Sequence, residues 1–385
     1  MTTSSLLKDA PAFAKLAERA RATIATHGWP TSRLEGFRYT SLRGVAELAS
    51  DDAPPLDAYS VDGSSGDVRI EPLATALQRD DVAADFGSVA EIDTAEAALV
   101  AFNTDAVQGG LVIDVAAGAD ATLALSLGGA RWPRLLIRVG RGARLRLRER
   151  WTDPATLTAP VTEIRLSDAA VCEHLVLQDA PTDRRILATV AVDVGRDARY
   201  EAHVVQLGAA LGRIALPVAL RGDGSHCSLS GLLAGAGTQH LDAHVVVDHI
   251  GQHTRSEQHF KGLFGDAASG VFRGNVRIAR EARFADAQQM NRNLLLSERA
   301  RAHAKPQLEI DNEDVKASHG ATVGQLDANQ LFYLRSRGIP ESVARDLLVQ
   351  AFADEIVAAL PDAALAETVR GVLRGRLAVA AEVHA

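Results

Sequence analysis

The stretch of this chain best suited to chemistry is EIDNEDVKASHGATVGQLDANQLFYLRSRG, which runs from Glu309 to Gly338. It contains a lone histidine, His319, between Ser318 and Gly320. Small neighbours predict a tight loop that holds the imidazole clear of a core, and imidazole can transfer protons or ligate a metal near neutral pH. A solvated histidine in a loop that leads into a helix would show the same spacing, so both interpretations remain open on spacing alone.

Motifs of common catalytic sites are missing from the sequence. It has no G-x-x-x-x-G-K-[ST] phosphate loop, no G-x-S-x-G nucleophile elbow and no H-E-x-x-H zinc helix. Ser318, His319 and Asp314 are the residue types of a hydrolase triad, yet adjacent residues cannot easily place a hydroxyl and an imidazole as nucleophile and base. We therefore expect a chain without catalytic activity, in which any ATP-driven step belongs to a partner.

Five of the 12 histidines lie close together in the sequence. They are His240, His244, His249, His253 and His259. Two pairs are spaced four residues apart, which places both side chains on one face of either a helix or a strand. The run VVV at 245–247 favours a strand. Because no acidic or cysteine pattern frames these residues, we expect solvated or interface histidines rather than a metal site, with transient iron contact as a further interpretation.

Composition limits the possible partners and the compartment. The net charge of -8 argues against nucleic acid as the main partner. No stretch approaches the roughly 18 apolar residues of a membrane span, and the N-terminal MTTSSLLKDAPAF lacks the apolar core of a secretion signal. Two cysteines, Cys172 and Cys227, are too few for a disulfide framework in a chain of 385 residues. We expect a cytoplasmic protein that binds neither nucleic acid nor membrane.

The middle of the chain predicts many short strands bounded by Gly, Asp or Pro, from Leu111 to Val247. A weak repeat refines this prediction. Its members, which each open a strand at intervals of 24 to 29 residues, are Gly118-Ala119, Gly142-Ala143, Asp168-Ala169 and Asp197-Ala198. A turn that recurs at this period indicates stacked coils of a β-solenoid, whereas a sandwich needs no fixed period. A jelly roll or sandwich remains the structural alternative.

Helices are predicted at both ends. Near the start, apolar residues recur at helical spacing until Gly28. Near the end, Asp327 followed by Gln330 resembles a capping box, and Gly338 with Pro340 indicates a break and a restart. An apolar stripe follows at Leu348, Phe352, Ile356 and Leu360, which is typical of packing in a small helical domain.

Three segments together resemble the SufB/SufD family of iron–sulfur cluster assembly scaffold proteins. One is DVKASHGATVG at 314–324, followed by FYLRSRGI at 332–339. Another, similar to the SufD branch, consists of Gly28-Trp29-Pro30, Arg33, Glu35, Phe37, Arg38-Tyr39-Thr40 and Leu42. The third comprises Asp286-Ala287-Gln288, Asn291, Asn293 to Ser297 and Pro306 to Ile310. Ala317 stands where many relatives carry cysteine, which also favours the SufD branch.

The resemblance implies a mainly β fold. A right-handed parallel β-helix would form the core, flanked by N-terminal and C-terminal α-helical regions. We accordingly expect an N-terminal helical or mixed region at 1–105, the β-helix at 106–312 and a helical domain at 313–385. This expectation agrees with the period of the repeat.

The resemblance also implies a function. The chain would be a SufD-like, non-catalytic subunit of a complex with a SufB-like scaffold subunit and a SufC-like ABC ATPase that hydrolyses ATP. His319 would lie where the SufB and SufD β-helices meet and contribute to cluster formation or iron entry, as a metal ligand. The surrounding interface would include Ser318, Lys316, Asp314 and Glu309. Docking of the ATPase would use Phe332, Tyr333, Arg335 and Arg337.

The expected cargo follows from the ligand count. An iron–sulfur cluster normally takes four thiolates, so a chain with two cysteines would stably bind no cluster alone and would meet iron or a cluster transiently in the complex. Two other functions remain as alternatives. One is a β-helix carbohydrate-active enzyme, although the sequence offers no obvious acid pair and no export signal. The other is a stand-alone homodimeric scaffold.

Overall fold

Short strands joined by tight turns make up most of the computed structural model, which describes residues 11–49, 58–63, 67–107, 109–152 and 155–382. The strands form two sheets, one of nine strands and one of ten, and the ten include one short strand beside the main path. In chain order they are β1 (Tyr59–Asp62), β2 (Val68–Pro72), β3 (Gly109–Val115), β4 (Asp120–Leu127), β5 (Pro133–Val139), β6 (Arg144–Trp151), β7 (Leu157–Thr158), β8 (Val161–Leu166), β9 (Val171–Gln178), β10 (Arg185–Val194), β11 (Arg199–Gln206), β12 (Leu211–Leu220), β13 (His226–Gly235), β14 (His240–His249), β15 (Arg255–Phe264), β16 (Ser269–Ile278), β17 (Asp286–Leu295), β18 (Arg301–Ile310) and β19 (Lys316–Gly324).

From β3 onward, strands other than β7 alternate between the two sheets, so that a pair of strands completes one coil. One sheet has the order β1-β4-β6-β9-β11-β13-β15-β17-β19 and the other β18-β16-β14-β12-β10-β8-β5-β3-β2, with the two-residue β7 beside β10. The coils pair in parallel, whereas β1 and β2 lie antiparallel to β4 and β3. The predicted mainly β fold with a parallel β-helix core is confirmed, and the sandwich alternative is wrong.

The turn before each coil strand of the nine-stranded sheet from β4 to β17 repeats along the β-helix. Each turn contains one residue with positive φ, namely Gly118, Gly142, Ala169, Asp197, Gly224, His253 and Phe284. Their backbone N–H groups donate to a carbonyl of the next coil, as Phe284 does to Asp314 at 2.7 Å. The repeat is therefore real, although its third member is Ala169 rather than Asp168. The Asp168 carboxylate instead accepts the backbone N–H of Arg196 at 3.3 Å.

Inward-pointing side chains fill the β-helix with a continuous apolar core. Cys172, Tyr200 and Cys227 occupy neighbouring positions of one inward row and are fully buried. Burial raises the pKa of both thiols, so they stay protonated at neutral pH. In this fold neither cysteine is available as a thiolate ligand.

Helices flank the core. They are α1 (Pro11–His27), α2 (Val45–Ala49), α3 (Leu73–Ala76), α4 (Asp80–Asp85), α5 (Ala98–Ala106), α6 (Ala328–Ser336), α7 (Glu341–Val357) and α8 (Ala363–Glu382). As predicted, α1 ends before Gly28, whose φ is positive, and Asp327 caps α6 by accepting the N–H of Asn329 at 2.8 Å. Within the described residues, no helix is long and apolar enough to cross a membrane.

The two sets of helices cover different sheets. Apolar side chains of α1, α3 and α4 pack against the ten-stranded sheet, and those of α7 and α8 pack against the nine-stranded sheet. Ile356 and Leu360 from the predicted stripe belong to the second contact. The β-helix continues past the expected boundary at residue 312, because β19 pairs with β17.

Candidate functional site

The β-helix ends at β18 and β19, here called the open end. Each is the last strand of its sheet, and no other strand of the described residues lies beyond them. None of their residues is buried, whereas the preceding strands β16 and β17 contain many buried positions. The outer edges of β18 and β19 therefore present backbone N–H and C=O groups of the kind that pair with a strand of another chain.

The candidate histidine, His319, lies within β19, so the predicted loop is wrong. β19 runs parallel to β17, and His319 stands opposite Gln289. Ser318 and Gly320 have low strand preference, but pairing with β17 supplies the backbone hydrogen bonds of this segment. Strand geometry, not a turn, therefore decides the direction of the imidazole.

The register of the nine-stranded sheet directs His319 toward the axis of the β-helix. One row of facing positions contains Leu147, His174, Ala202, Leu229, Gln258, Gln289 and His319. Every member of the row before His319 is buried. His319 occupies the same inward position but is exposed, because no further described coil covers it.

The interior beneath the open end is lined with amides. Gln258, Gln289, Asn291 and Asn293 are all buried. Gln289 Nε2 donates to Gln258 Oε1 at 2.8 Å, and Asn293 Nδ2 donates to Asn291 Oδ1 at 2.6 Å. His319 therefore stands above a polar interior rather than an aliphatic one.

Three other predicted residues near His319 point elsewhere. Lys316 and Ser318 lie three positions and one position before His319 along β19. Because side chains alternate along a strand, both point to the outer face, where they are exposed. Asp314 precedes the strand and pairs with Arg283 at 2.8 Å. These three side chains do not form one cluster with the imidazole.

Glu309 lies on β18, in the sheet opposite His319. Its carboxylate accepts a hydrogen bond from Asn275 Nδ2 at 2.9 Å. Among the residues that the structure describes, no three His, Cys, Asp or Glu side chains are close enough to hold a metal ion. Iron at His319 would therefore need further ligands from outside this set.

The five clustered histidines form no common site. His249 is buried, with Nδ1 and Nε2 each 2.8 Å from the hydroxyls of Thr254 and Ser256, and burial lowers its pKa to about 4. His244 is also buried, with Nδ1 2.7 Å from Arg213 Nη2. The predicted strand is confirmed as β14. The prediction of solvated or interface histidines is wrong for His244 and His249, which serve contacts within the chain.

The N-terminal segment that resembles the SufD branch packs on the ten-stranded sheet. Thr40 Oγ1 donates to Asp242 and lies 3.0 Å from His240 Nε2. Arg213 forms an ion pair with Asp242, and its guanidinium carbon lies 4.2 Å from the centroid of the Phe37 ring. Sequence reasoning missed this anchor, because nothing in the sequence links residues 37–40 to strands β12 and β14.

The residues predicted to dock an ATPase lie on α6 and at its C-cap, Arg337. Phe332 and Tyr333 are 72% and 56% exposed. The guanidinium carbon of Arg337 lies 5.2 Å from the centroid of the Tyr333 ring, and Arg335 pairs with Glu341 at 3.2 Å. Because α6 has no buried residue, packing within the chain does not explain its aromatic side chains.

A buried lysine fixes α7 to the β-helix. Lys261 Nζ donates to the carbonyl of Phe352 at 2.8 Å and pairs with Glu355 at 2.6 Å. Its side chain has no exposed surface, although Glu355 is half exposed. Sequence reasoning missed this contact too, since a lysine in an alternating strand normally indicates a solvent-facing position.

Comparisons with known proteins identify a family that this chain resembles. Residues 119–352 match the family model described as SUF system FeS cluster assembly, SufBD core domain. The chain is 36% identical to an iron–sulfur cluster assembly SufBD family protein of Synechocystis sp., over 60% of this chain and 54% of that protein. It is 36% identical to the iron–sulfur cluster assembly protein SufD of Escherichia coli, over 48% of this chain and 44% of that protein.

A third relative is the iron–sulfur cluster assembly protein SufD of Bacillus subtilis, which is 39% identical over 37% of this chain and 32% of that protein. The chain spans about half the length of the curated relatives it matches, or less. The family match extends from β4 into α7, so it includes the whole open end and α6.

Proposed function

The chain belongs to the SUF system SufBD core family, and on this basis we propose that it is a SufD-like scaffold subunit in iron–sulfur cluster assembly. It pairs with a SufB-like scaffold subunit, and a SufC-like ABC ATPase hydrolyses ATP for the complex. The chain itself hydrolyses none, in keeping with a sequence that lacks a phosphate loop. Iron or a cluster is its transient cargo in the cytoplasm.

The open end is the observation that carries this proposal. Two consecutive strands, β18 and β19, present edges that no strand of the described residues pairs with, at the same end of the β-helix. A second β-helix that docks there continues both sheets, because main-chain hydrogen bonds form along an exposed strand edge. Docking also covers the inward-facing positions of the last coil, including His319, and places them at the junction of two chains.

His319 is the residue through which this chain acts on the cargo. A neutral imidazole offers one lone pair for iron or accepts one proton, and both roles suit cluster formation. Cys172 and Cys227 are buried and protonated, so the remaining ligands come from the partner. A site divided between two chains explains why the described residues contain no group of three metal-ligating side chains.

The exposed surface of α6 and α7 is the docking site of the ATPase. Phe332 and Tyr333 project from α6, and Val343 and Leu347 are exposed on the neighbouring helix α7. Aromatic and arginine side chains are the residue types that contribute most at protein interfaces. Lys261 and the apolar contact of α7 hold this surface in a fixed position on the β-helix.

Pairing at the open end is tested with Ala321→Arg. Ala321 stands opposite the buried Asn291 on the inward face and is exposed, so a large cation there obstructs a docking chain without entering the core. The matched control is Ser318→Arg, on the outer face of the same strand. Light scattering after size-exclusion chromatography should show a complex with the SufB-like subunit for wild type and Ser318→Arg, and its loss for Ala321→Arg.

An unchanged complex with Ala321→Arg would mean that the two chains meet elsewhere. The same experiment on the chain alone tests the homodimeric scaffold, because the open end could also receive a second copy. A dimer that Ala321→Arg converts to a monomer, together with no binding of the SufB-like subunit or the ATPase, would favour that function. The carbohydrate-active enzyme is set aside because the family is one of cluster assembly.

A further inference from the structure

Two glutamines form a short ladder directly below His319. Gln258 and Gln289 occupy neighbouring positions of the inward row, are 2% and 3% exposed, and are joined by the Gln289 Nε2 to Gln258 Oε1 hydrogen bond of 2.8 Å. In such ladders each amide donates to the strand on one side and accepts from the strand on the other. Hydrogen-bond donation in this ladder runs from Gln289 on β17 to Gln258 on β15.

Both ends of the ladder have an unsatisfied atom. Gln258 Nε2 and Gln289 Oε1 are buried and have no hydrogen-bond partner among the described residues. Gln258 faces Leu229 on the next strand down, which offers no acceptor side chain. Gln289 faces His319 on the next strand up, which offers a ring N–H. A buried carbonyl oxygen without a hydrogen-bond partner is unfavourable, so a donor is expected beside Gln289 Oε1.

The amide of Gln289 is also held in position. Gly274 lies across the interior from it, and a side chain added there would come within 2.1 Å of Gln289 Nε2. The absence of a side chain at residue 274 thus leaves the space that the glutamine fills. A side chain confined in this way can orient a neighbour without first losing conformational freedom.

We propose that Gln289 is a positioning residue for His319. Its Oε1 accepts a hydrogen bond from one ring nitrogen of the imidazole, which fixes the ring and its tautomer. The other ring nitrogen then keeps its lone pair and faces the open end. Metal-binding histidines generally donate their second ring N–H to such an acceptor. The link between this arrangement and cargo binding rests on the function proposed above, but the hydrogen bond does not.

Nuclear magnetic resonance of the full chain with ¹⁵N-labelled histidine tests the hydrogen bond directly. At a pH above the titration of imidazole, wild type should show a ring N–H proton of His319, because the bond protects it from exchange with water. The signal is assigned by its loss in His319→Ala. A wild-type spectrum without a protected ring N–H from His319 overturns the proposal, whatever the variants do.

Variants then identify the acceptor. Gln289→Leu should abolish the protected N–H signal, whereas Gln289→Glu should keep it, because a carboxylate still accepts. Gln288→Leu, on the exposed outer face of the same strand, is the matched control and should leave the signal unchanged. A signal that persists in Gln289→Leu overturns the proposal. If Gln289→Leu does not fold, Gln289→Met replaces it. The wild-type spectrum alone can still overturn the proposal.

Cluster assembly by the complex separates this inference from the proposed function. If both hold, Gln289→Leu reduces assembly several-fold and Gln289→Glu restores part of it. If Gln289→Leu removes the N–H signal but assembly is unchanged, the hydrogen bond is confirmed and its role in assembly is wrong, while His319→Ala remains the test of the proposed function.

Discussion

At one end of the β-helix, the short antiparallel strands β1 and β2 lie against the first coil, while β18 and β19 leave the other end open. The interior side chains at the two ends also differ, in polarity. Leu123, Ile137 and Leu145 fill the first coils, whereas Gln258 and Gln289 line the last ones. The comparison separates two tasks, because the covered, aliphatic end provides stability and the open, amide-lined end provides a surface for another chain.

The largest expected effect lies at the covered end. Leu145→Ala should lower the free energy of unfolding by about 2–5 kcal/mol, because it leaves a cavity in the aliphatic core. Val323→Ala is the matched change at the open end, where the side chain is 47% exposed, and should change stability by less than about 0.5 kcal/mol. Urea denaturation measures both variants, and equal losses would remove the distinction between the ends.

The buried His249 should make the free energy of unfolding depend on pH, whereas a change at the open end should not. The pKa of His249 is about 4 in the folded chain because of burial, against about 6.5 when unfolded. Below pH 6.5 the unfolded state therefore binds a proton that the folded state does not, so stability falls as pH falls toward 4, by up to about 3 kcal/mol. Denaturation of wild type and His249→Gln at pH 7 and pH 4.5 measures this difference.

The variant should lose less stability than wild type between those two pH values. Val323→Ala is the control, because it removes no titratable group and should leave the pH dependence close to that of wild type. A His249→Gln variant whose stability falls as steeply as that of wild type would show that His249 is not the group responsible.

The docking surface on α6 should give a smaller effect, confined to binding. Phe332→Ala and Tyr333→Ala should each weaken binding of the ATPase subunit by about 1–2 kcal/mol and leave stability unchanged, since both side chains are exposed. Calorimetric titration measures the change, with Glu367→Ala, at an exposed position of α8, as a control away from α6. Unchanged affinity in both variants would place the docking surface elsewhere.

The sequence was sufficient for the elements with strong local signals. Turn residues such as Gly118 and Gly142 recur with the coil, and the cap at Asp327 is read from its neighbours alone. His319 was misplaced in a loop because Ser318 and Gly320 resemble turn residues, and only pairing with β17 makes the segment a strand. Which face a residue occupies depends on register, and register is a property of coils about 30 residues apart.

Buried polar contacts escaped prediction for a related reason. Nothing in the sequence distinguishes Lys261, Arg213 and Asp242 from other charged residues. Each is buried only because a distant segment covers it. The free oxygen of Gln289 is likewise visible only when its neighbours on both sides are known. Long-range packing, rather than local preference, decides these positions.

Cluster assembly by the reconstituted complex tests most directly whether the open end is where this chain acts. The measurement compares wild type, His319→Ala and the outward-facing control Ser318→Ala, each in a complex shown to be intact, by absorbance together with bound iron and sulfide. His319→Ala should reduce assembly by roughly 10-fold or more, as expected for loss of a ligand or of a proton-transfer group. Ser318→Ala should match wild type. Equal assembly by wild type and His319→Ala would contradict the account, because the inward histidine of the last coil would then have only a structural role.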